Sequence, residues 1–515
     1  MQTSRVSGIL LHPSSLPNGH GIGDLGPEAY AFVDWLKNAN QRMWQVLPLG
    51  PTGYGDSPYQ SFSAFAGNPL LVDLNDLMER GWLSPGQLPD APANNQTIDY
   101  GHVVWFKREA LKLAYAGFNA QGTQDDRDAF KRFCAQEAKW LNDYALFQAL
   151  KDAHGGACWS DWEPALAARE SSALKKAYKV HTESVDFWKF TQWNFFRQWQ
   201  SLHAYATDRD IAIVGDVPIF VAYDSVDVWA NPELFHLDET GHPTVVAGVP
   251  PDYFSETGQL WGNPLYRWDV LAKKRYTWWI ARMKQALQLY DVVRLDHFRG
   301  FAAYWEVRAG EPTAVDGRWV RGPGDKLFKA LSKALGADLP IIAEDLGLIT
   351  PDVEALRDDF NLPGMKILQF AFGGPGNAYL PHNYPANSVA YTGTHDNDTV
   401  RGWFNSATQE EKDFALRYLA TDEAGFPGAM VRSVIASTAR IALIPVQDLL
   451  GLGSEARMNT PSLASGNWTW RLAPGQLGGE LAHWLGDLTY VFGRTPEAEV
   501  LEVPHSDEEI VIHEA

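Results

Sequence analysis

Near-continuous runs of apolar residues recur along the chain and end in Gly, Pro or acidic residues. Such runs differ from the alternating pattern of a half-exposed strand. They are typical of parallel strands whose sheet is covered on both faces. The runs that predict strands are Met43–Leu49, Ile211–Val217, Asp291–Asp296, Leu339–Glu344, Lys366–Phe372 and Ser388–Thr392.

Amphipathic segments lie between these runs and predict helices over Glu28–Asn38, Arg275–Leu289 and Asp325–Leu335. A strand–helix alternation over most of the chain predicts an α/β fold, either a (β/α)8 barrel or a doubly wound sheet. Both architectures place functional residues at the carboxyl ends of their strands, and the rule is strongest for the barrel.

Two stretches depart from this alternation. Residues 73–200 are rich in helical patterns, with Asp126–Leu150 and Ser171–Ser201 as the longest, and predict a largely helical insertion entered through a loop from Pro85 to Gln96. Residues 495–515 contain acidic residues and no Lys or Arg. We interpret them as an acidic, solvated C-terminal extension; a functional acidic tail is the alternative.

Composition narrows the functional classes. The chain has 515 residues, which fits about three ordinary domains or one large barrel with insertions, and we favour a single catalytic unit over 1–515. A formal net charge of −20 argues against nucleic acid as a partner. The two cysteines, Cys134 and Cys158, lack metal-ligand spacing. With no predicted signal peptide or membrane span, we expect a reduced, cytoplasmic protein without metal or cofactor.

Aromatic residues are unusually abundant, with 21 Trp and 19 Tyr. Aromatic rings stack on the apolar faces of sugar rings, while neighbouring polar groups bond the hydroxyls. Packing at junctions between loops and the barrel is the alternative for any one ring. Several lie beside Gly, Pro, Asn or Asp rather than in periodic runs, namely Tyr54, Tyr59, Tyr253, Trp261, Trp305, Trp468 and Trp470.

Three carboxylates follow predicted strands and suggest glycoside chemistry, which needs an ionised nucleophile or base and a protonated acid. Asp296 has Arg294, two residues away on the same strand face, and favours the ionised role. Glu344 follows an apolar run and favours the acid role, because burial opposes ionisation. Asp396 is suited to binding sugar hydroxyls. A buried ion pair between Arg294 and Asp296 with a purely structural role is the alternative.

The chain resembles the 4-α-glucanotransferases, also called amylomaltases or disproportionating enzymes, of the α-amylase clan. The resemblance covers nearly the whole chain except the acidic tail. Its motifs are Gly21–Gly26, Ser57–Pro69, Gly215–Ile219, Pro250–Pro264, Arg294–Gly300, Ala343–Gly347, Gly393–Thr399 and Asn467–Arg471.

The resemblance implies a (β/α)8 barrel with helical insertions and a retaining double displacement. Asp296 would be the nucleophile, Glu344 the acid and base, and Asp396 the residue that stabilises the transition state. Arg294 would keep Asp296 ionised. The side chains that would bind sugar hydroxyls are His297, His395, Ser57, Tyr59, Asp216 and Asn467. From the residues alone, a packing role is the alternative for His297 and His395. Capping of the following loop is the alternative role for Asp216.

The three carboxylates do not separate transfer from hydrolysis, because water and a sugar hydroxyl compete for the same intermediate. Residues 249–264 form a Pro/Gly-rich segment that we interpret as an active-site lid loop carrying Tyr253, Phe254, Gln259 and Trp261. An ordinary surface loop is the alternative. Tyr54, between Gly53 and Gly55, is a candidate for a secondary glucan site, and a plain turn residue is the alternative.

The resemblance therefore predicts transfer of α-1,4-glucan segments from a donor glucan to the 4-hydroxyl of glucose or another glucan. The expected partners are maltooligosaccharides and amylose, and cyclic glucans are plausible products. An α-1,4-glucan hydrolase of the same clan is the alternative within the enzymes. A carbohydrate-binding scaffold on a degenerate barrel is the non-enzyme alternative.

Overall fold

The computed structural model describes residues 5–93, 96–251, 255–461 and 463–495. Twelve strands lie within these ranges. In chain order they are β1 (Val6–Leu10), β2 (Met43–Gln45), β3 (Ala212–Pro218), β4 (Val245–Val249), β5 (Gln259–Pro264), β6 (Val292–Asp296), β7 (Ala303–Arg308), β8 (Gly317–Arg321), β9 (Ile341–Ala343), β10 (Gly364–Ile367), β11 (Ser388–Tyr391) and β12 (Ile441–Pro445).

Eight of these strands form one parallel sheet in the order β10-β11-β12-β1-β2-β3-β6-β9. The sheet closes because the N–H of Ala343, at the end of β9, donates to the carbonyl of Pro363, just before β10, at 2.9 Å. The fold is therefore an α/β barrel of the (β/α)8 type. A doubly wound sheet would leave two free edges instead.

The interior of the barrel is filled by side chains at alternate strand positions. They form one buried apolar cluster of Val214, Val292, Ile342, Met365, Ile367, Val389, Tyr391, Ile441 and Leu443. The same alternation continues to polar residues at the carboxyl end. On β6 the inward series runs from Val292 to Arg294 and Asp296, and on β3 Asp216 lies opposite Arg294 in register.

Each of the six predicted runs contains part of a barrel strand, but the observed strands are mostly shorter. The run Lys366–Phe372 was placed too late, since β10 ends at Ile367 and a 3₁₀ turn follows over Leu368–Phe370. The sequence pattern did not single out β1 or β12. These two strands pair with each other and join the two halves of the sheet.

Helices surround the barrel and fill the connections. They are α1 (Pro27–Asn38), α2 (Leu74–Glu79), α3 (Tyr100–Gln121), α4 (Gln124–Gln136), α5 (Ala138–Ala153), α6 (Pro164–Ala167), α7 (Ser171–Val180), α8 (Thr182–Thr207), α9 (Val226–Ala230), α10 (Trp268–Lys273), α11 (Thr277–Leu289), α12 (Asp325–Leu335), α13 (Pro351–Asp359), α14 (Val400–Ser406), α15 (Gln409–Leu419), α16 (Phe426–Ala436), α17 (Val446–Leu449) and α18 (Gly479–Val491). Among the described residues, none of these helices is long and apolar enough to cross a membrane.

The helix-rich stretch over residues 73–200 contains α2 to α7 and most of α8. Buried glutamines on α8 hold the long loop that follows β2. The side-chain amide of Gln192 bonds both the N–H and the carbonyl of Gly67 at 2.8 Å, and Gln198 does the same for Asp73 at 2.8 and 3.0 Å. Because that loop also carries Ser57 and Tyr59, α8 helps to fix one wall of the site.

A second, antiparallel sheet has the order β5-β4-β7-β8. Residues 249–264, predicted as a loop, belong to this sheet at both ends: β4 ends at Val249, and β5 runs over Gln259–Pro264. We call residues 245–264 the β4–β5 hairpin. The sequence pattern did not indicate its strands, because both are short and Gly or Pro interrupts their apolar residues.

Candidate active site

Arg294 joins two carboxylates at the carboxyl end of the barrel. Its Nη1 lies 2.6 Å from Oδ2 of Asp216 on β3 and 3.0 Å from Oδ1 of Asp296 on its own strand. Arg294 and Asp216 are almost fully buried, whereas the Asp296 side chain is 26% exposed. The predicted ion pair therefore exists, but the deeply buried partner of Arg294 is Asp216, and Asp296 is partly open to solvent.

Burial and neighbouring charges shift the pKa values of Arg294 and Asp216. Burial alone lowers the pKa of a guanidinium, but the carboxylates of Asp216 and Asp296 reverse this and raise the pKa of Arg294 well above its usual value. Burial raises the pKa of Asp216, and Arg294 opposes that rise. Arg294 therefore stays charged and presents a fixed positive charge to Asp296.

Glu344 follows β9 directly and has a different environment. Its Oε2 accepts the backbone N–H of His297 at 2.7 Å, and its Oε1 accepts that of Leu346 at 3.0 Å. Burial raises the pKa of this carboxyl well above its usual value; Arg294 opposes the rise, the charge of Asp296 adds to it, and the two backbone donors oppose it. Glu344 is thus suited to hold a proton.

The backbone of His297 explains how its N–H reaches Glu344. His297 has φ 53° and ψ 48°, the left-handed region that a residue with a side chain seldom adopts. Its ring meets the edge of Trp261 with centroids 4.8 Å apart. Burial, and then the charge of Arg299, lower the pKa of His297 to about 3. The neutral ring has a buried Nε2 with no hydrogen-bond partner among the described residues.

Asp396 lies in the loop after β11. Its Oδ1 accepts a hydrogen bond from Nδ2 of Asn459 at 2.7 Å, and Nε2 of His395 lies 3.4 Å from the same oxygen. The guanidinium of Arg457 bonds the Asp396 carbonyl at 2.7 Å. The Asp396 side chain is 43% exposed, so solvent or a ligand can reach its carboxylate.

An aromatic wall connects these groups. The rings of Tyr59 and His395 are stacked with centroids 5.2 Å apart, and Trp468 lies 5.7 Å from Tyr59. The Tyr59 hydroxyl donates to Oδ2 of Asp216 at 3.0 Å. After burial, negative charges that include those of Asp296 and Asp396 raise the pKa of Tyr59 well above its usual value. The carboxylates therefore share one electrostatic environment with Tyr59.

The other residues predicted to bind substrate differ in what their side chains contact. Trp261 lies beside His297, and its indole N–H donates to Gln259 at 3.1 Å. The Ser57 hydroxyl accepts the backbone N–H of Tyr59 at 3.2 Å. The Asn467 side chain is engaged with the backbone of Thr460 and Leu463 and thus fixes its own loop. Tyr54 is 78% exposed on the surface. Tyr253 and Phe254 lie outside the described residues.

The sequence did not point to the residues whose hydrogen bonds hold the candidate site in place. Asn459 and Arg457, which hold Asp396, lie on a loop after α17 and stand in no charged or periodic pattern. Gln45 on β2 accepts a hydrogen bond from the hydroxyl of Tyr391 inside the barrel at 3.0 Å. No signal in the sequence marks these contacts, since their partners are far apart along the chain.

Comparison with known families and sequences gives a consistent result. A family model described as 4-alpha-glucanotransferase matches residues 11–476. A 4-alpha-glucanotransferase of Thermus thermophilus is 57% identical over 489 residues, covering 93% of this chain and 97% of that protein. One from Synechocystis is 51% identical over 500 residues, covering 96% and 99%. A chloroplastic/amyloplastic 4-alpha-glucanotransferase of Solanum tuberosum is 45% identical, covering 91% and 82%.

Solved structures agree with the sequence matches. An amylomaltase from Streptococcus agalactiae, in complex with acarbose, superposes with a TM-score of 0.92 at 40% identity, covering 95% of this chain and 100% of that one. An amylomaltase from Corynebacterium glutamicum has a TM-score of 0.76 at 18% identity, covering 96% and 75%. The second likeness bears on the fold alone.

Proposed function

The chain belongs to the 4-α-glucanotransferase family, and we propose that Asp296, Glu344 and Asp396 carry out its reaction as a retaining double displacement. The enzyme acts on α-1,4-glucans. The observation that carries the residue assignment is the contrast between two carboxyls. Asp296 faces the guanidinium of Arg294 at 3.0 Å, whereas burial raises the pKa of Glu344. One is set up as an anion and the other as an acid.

In the first step, the carboxylate of Asp296 attacks the anomeric carbon of the donor sugar. The bond from that carbon to the bridging oxygen breaks, and the proton of Glu344 moves to the departing oxygen. A covalent glycosyl-enzyme forms on Asp296, and the remainder of the glucan leaves with a free 4-hydroxyl. Arg294 stays charged throughout and remains the partner of the nucleophile.

In the second step, Glu344 is ionised and takes the proton from the 4-hydroxyl of an acceptor sugar. That oxygen attacks the anomeric carbon, the bond to Asp296 breaks, and the new α-1,4 linkage keeps the original configuration. In both steps positive charge develops on the sugar ring. Asp396, beside neutral His395, provides negative charge and a hydroxyl acceptor for that ring.

Transfer rather than hydrolysis requires that an acceptor sugar reaches the intermediate before water does. We propose that the β4–β5 hairpin serves this purpose. It places Trp261 against His297, the residue after the nucleophile, with ring centroids 4.8 Å apart. A sugar that stacks near Trp261 would displace water from the acceptor side of the cleft.

The finer substrate range is also a proposal. Maltooligosaccharides and amylose are the expected donors and acceptors, because the solved relative from Streptococcus agalactiae is described in complex with acarbose. A long donor whose free end returns to its own glycosyl-enzyme would give a cyclic glucan. Mass spectrometry of amylose digests tests this point, since each cyclic product is lighter by one water than the linear glucan of equal length.

Incubation with maltotriose tests the function itself. Glucose together with a ladder of longer maltooligosaccharides is the result expected of transfer. Glucose and maltose without longer products would contradict transfer and favour hydrolysis. Tight maltotriose binding without any product would favour a carbohydrate-binding protein.

A further inference from the structure

The two oxygens of the Asp396 carboxylate are held differently. Oδ1 accepts the amide of Asn459 at 2.7 Å and lies 3.4 Å from Nε2 of His395. Among the residues that the structure describes, Oδ2 has no hydrogen-bond partner, although the side chain is 43% exposed. Oδ1 is therefore held by neighbouring side chains, and Oδ2 is available to accept a hydrogen bond from a ligand.

Asn459 is itself fixed without using its side chain. Its backbone N–H donates to the carbonyl of His395 at 3.1 Å, and its own carbonyl accepts Nε of Arg457 at 2.8 Å. The same guanidinium bonds the carbonyl of Asp396 at 2.7 Å. Backbone bonds thus join residues 395–396 to residues 457–459, and the Asn459 amide forms its only hydrogen bond within the described residues with Asp396.

We propose that Asn459 is a positioning residue for the transfer reaction, which holds Asp396 by Oδ1 so that Oδ2 faces the hydroxyls of the donor sugar. This inference rests on the role proposed for Asp396. An aspartate that is 43% exposed would otherwise sample several rotamers, and misplacement of a reacting group by about 1 Å can cost on the order of 100-fold in rate.

The chemistry of an amide suits this task better than that of a cation. A lysine or arginine in this place would also orient Asp396, but its positive charge would offset the negative charge needed beside the developing sugar cation. Asn459 donates a hydrogen bond and leaves the charge of Asp396 undiminished. His395, whose Nε2 lies 3.4 Å from the same oxygen, also adds no positive charge, because burial lowers its pKa and favours the neutral ring.

Truncation is the first test. In maltotriose disproportionation, Asn459→Ala should lower kcat by about 10- to 100-fold while KM changes by less than about threefold, because orientation matters most in the transition state. The backbone bonds between the two segments remain in this variant, so its thermal unfolding should resemble that of the wild type. An unchanged kcat in a folded variant would overturn the proposal.

A second variant gives a readout that a purely structural role would not move. In Asn459→Asp, two carboxyls meet across the present 2.7 Å contact and share one proton. While that proton is bound, a hydrogen bond still joins the side chain at position 459 to Asp396. As pH rises and the proton leaves, the carboxylates repel and Asp396 loses its orientation.

The ratio of the kcat of Asn459→Asp to that of the wild type should therefore fall by about tenfold or more between the acidic and alkaline ends of the active range. Asn405→Asp, the same change at an exposed position on α14, should keep a constant ratio near one. A ratio for Asn459→Asp that does not vary with pH would refute the positioning role. A misfolded protein would instead lose activity at every pH and show an early unfolding transition.

Asp396→Asn, measured beside these variants, separates this inference from the proposed function. Full activity in Asp396→Asn would contradict the role of Asp396 itself. Loss of activity in Asp396→Asn together with normal kcat in Asn459→Ala would leave the proposed function standing and reject only the positioning role of Asn459.

Discussion

Asp216 is the carboxylate that Arg294 holds most closely, with 2.6 Å between Oδ2 and Nη1 and both side chains almost fully buried. The two residues lie opposite each other in register on β3 and β6. Asp216 therefore fixes the guanidinium from the barrel side, and the guanidinium in turn faces Asp296 at 3.0 Å.

Removing Asp216 should destabilise the barrel, because the buried charge of Arg294 loses its nearest partner. We expect Asp216→Ala to lower the free energy of unfolding by about 3 kcal/mol. Urea denaturation followed by tryptophan fluorescence measures the change. The matched control is Asp358→Ala, which removes the ion pair of an exposed aspartate with Arg357 and should leave the midpoint nearly unchanged. Equal midpoints for the two variants would contradict this account.

Replacing Glu344 by Gln should slow the reaction of donors whose leaving group must be protonated and spare donors whose leaving group departs without a proton. The variant keeps the shape of the side chain but has no acid, so transfer from natural glucans should fall by at least about 100-fold. A glycosyl fluoride donor needs no protonation and should still form the intermediate. Initial rates with both donors measure the contrast.

Asp296→Ala provides the comparison for that experiment. It removes the proposed nucleophile and should abolish turnover of both donors, with no covalent intermediate detectable by intact-protein mass spectrometry. Equal losses on both donors in Glu344→Gln would count against its role as acid, and residual transfer in Asp296→Ala would count against its role as nucleophile.

The raised pKa of Glu344 also sets the direction of the pH dependence. An acid must be protonated for the first step, so kcat/KM for maltotriose should decline as pH rises through the pKa of Glu344. With the fluoride donor, formation of the intermediate should not show this alkaline decline. Pre-steady-state fluoride release at a series of pH values makes the measurement.

Trp261 should influence which acceptor is used. Trp261→Ala removes the ring that packs against His297 and, under the role proposed for the hairpin, gives water easier access to the acceptor side. We expect the ratio of hydrolysis to transfer to rise by about tenfold or less, since one stacking contact contributes about 1 kcal/mol. Reducing-end assays and glucose release from maltotriose give the two rates. The exposed ring of Trp484 on α18 is the control, and Trp484→Ala should leave the ratio unchanged.

His12 should make folding sensitive to acid. Burial, and then the charge of His395, lower the pKa of His12 to about 3, whereas an unfolded histidine titrates near its ordinary value of 6.5. Below pH 6.5 the unfolded chain therefore binds more protons, and stability is lost as pH falls towards 3.

The comparison of two pH values tests this coupling. Between pH 7 and pH 5, the drop in the free energy of unfolding should be about 2 kcal/mol smaller in His12→Gln than in the wild type. His483 is exposed on α18, and His483→Gln should retain the drop seen in the wild type. An equal drop in His12→Gln and the wild type would show that His12 contributes nothing.

The candidate nucleophile and acid were accessible from the sequence because their signals are local. A strand-ending carboxylate next to an arginine, and another after an apolar run, are visible in a few residues. The supporting contacts were not accessible in this way. Asn459 meets Asp396 across 63 residues of chain, and Arg294 meets Asp216 across 78. No local pattern encodes such pairs.

The fold likewise has features that local sequence predicts and features that depend on contacts between distant segments. Parallel barrel strands were predictable from continuous apolar runs, because strands covered on both faces have that composition. The sequence did not distinguish a barrel from a doubly wound sheet by itself; the resemblance favoured the barrel. Closure depends on the hydrogen bond between Ala343 and Pro363 and on the pairing of β1 with β12, which lie far apart along the chain.

By itself the sequence determined six runs that contain barrel strands, the family resemblance and which carboxylates follow those strands, since these depend on local composition and periodicity. Only the tertiary structure decided that Arg294 is shared between Asp216 and Asp296, and that Glu344 accepts two backbone N–H groups. It also decided that one oxygen of Asp396 is anchored by Asn459. These properties depend on desolvation and on distances between remote segments, which exist once the barrel has closed.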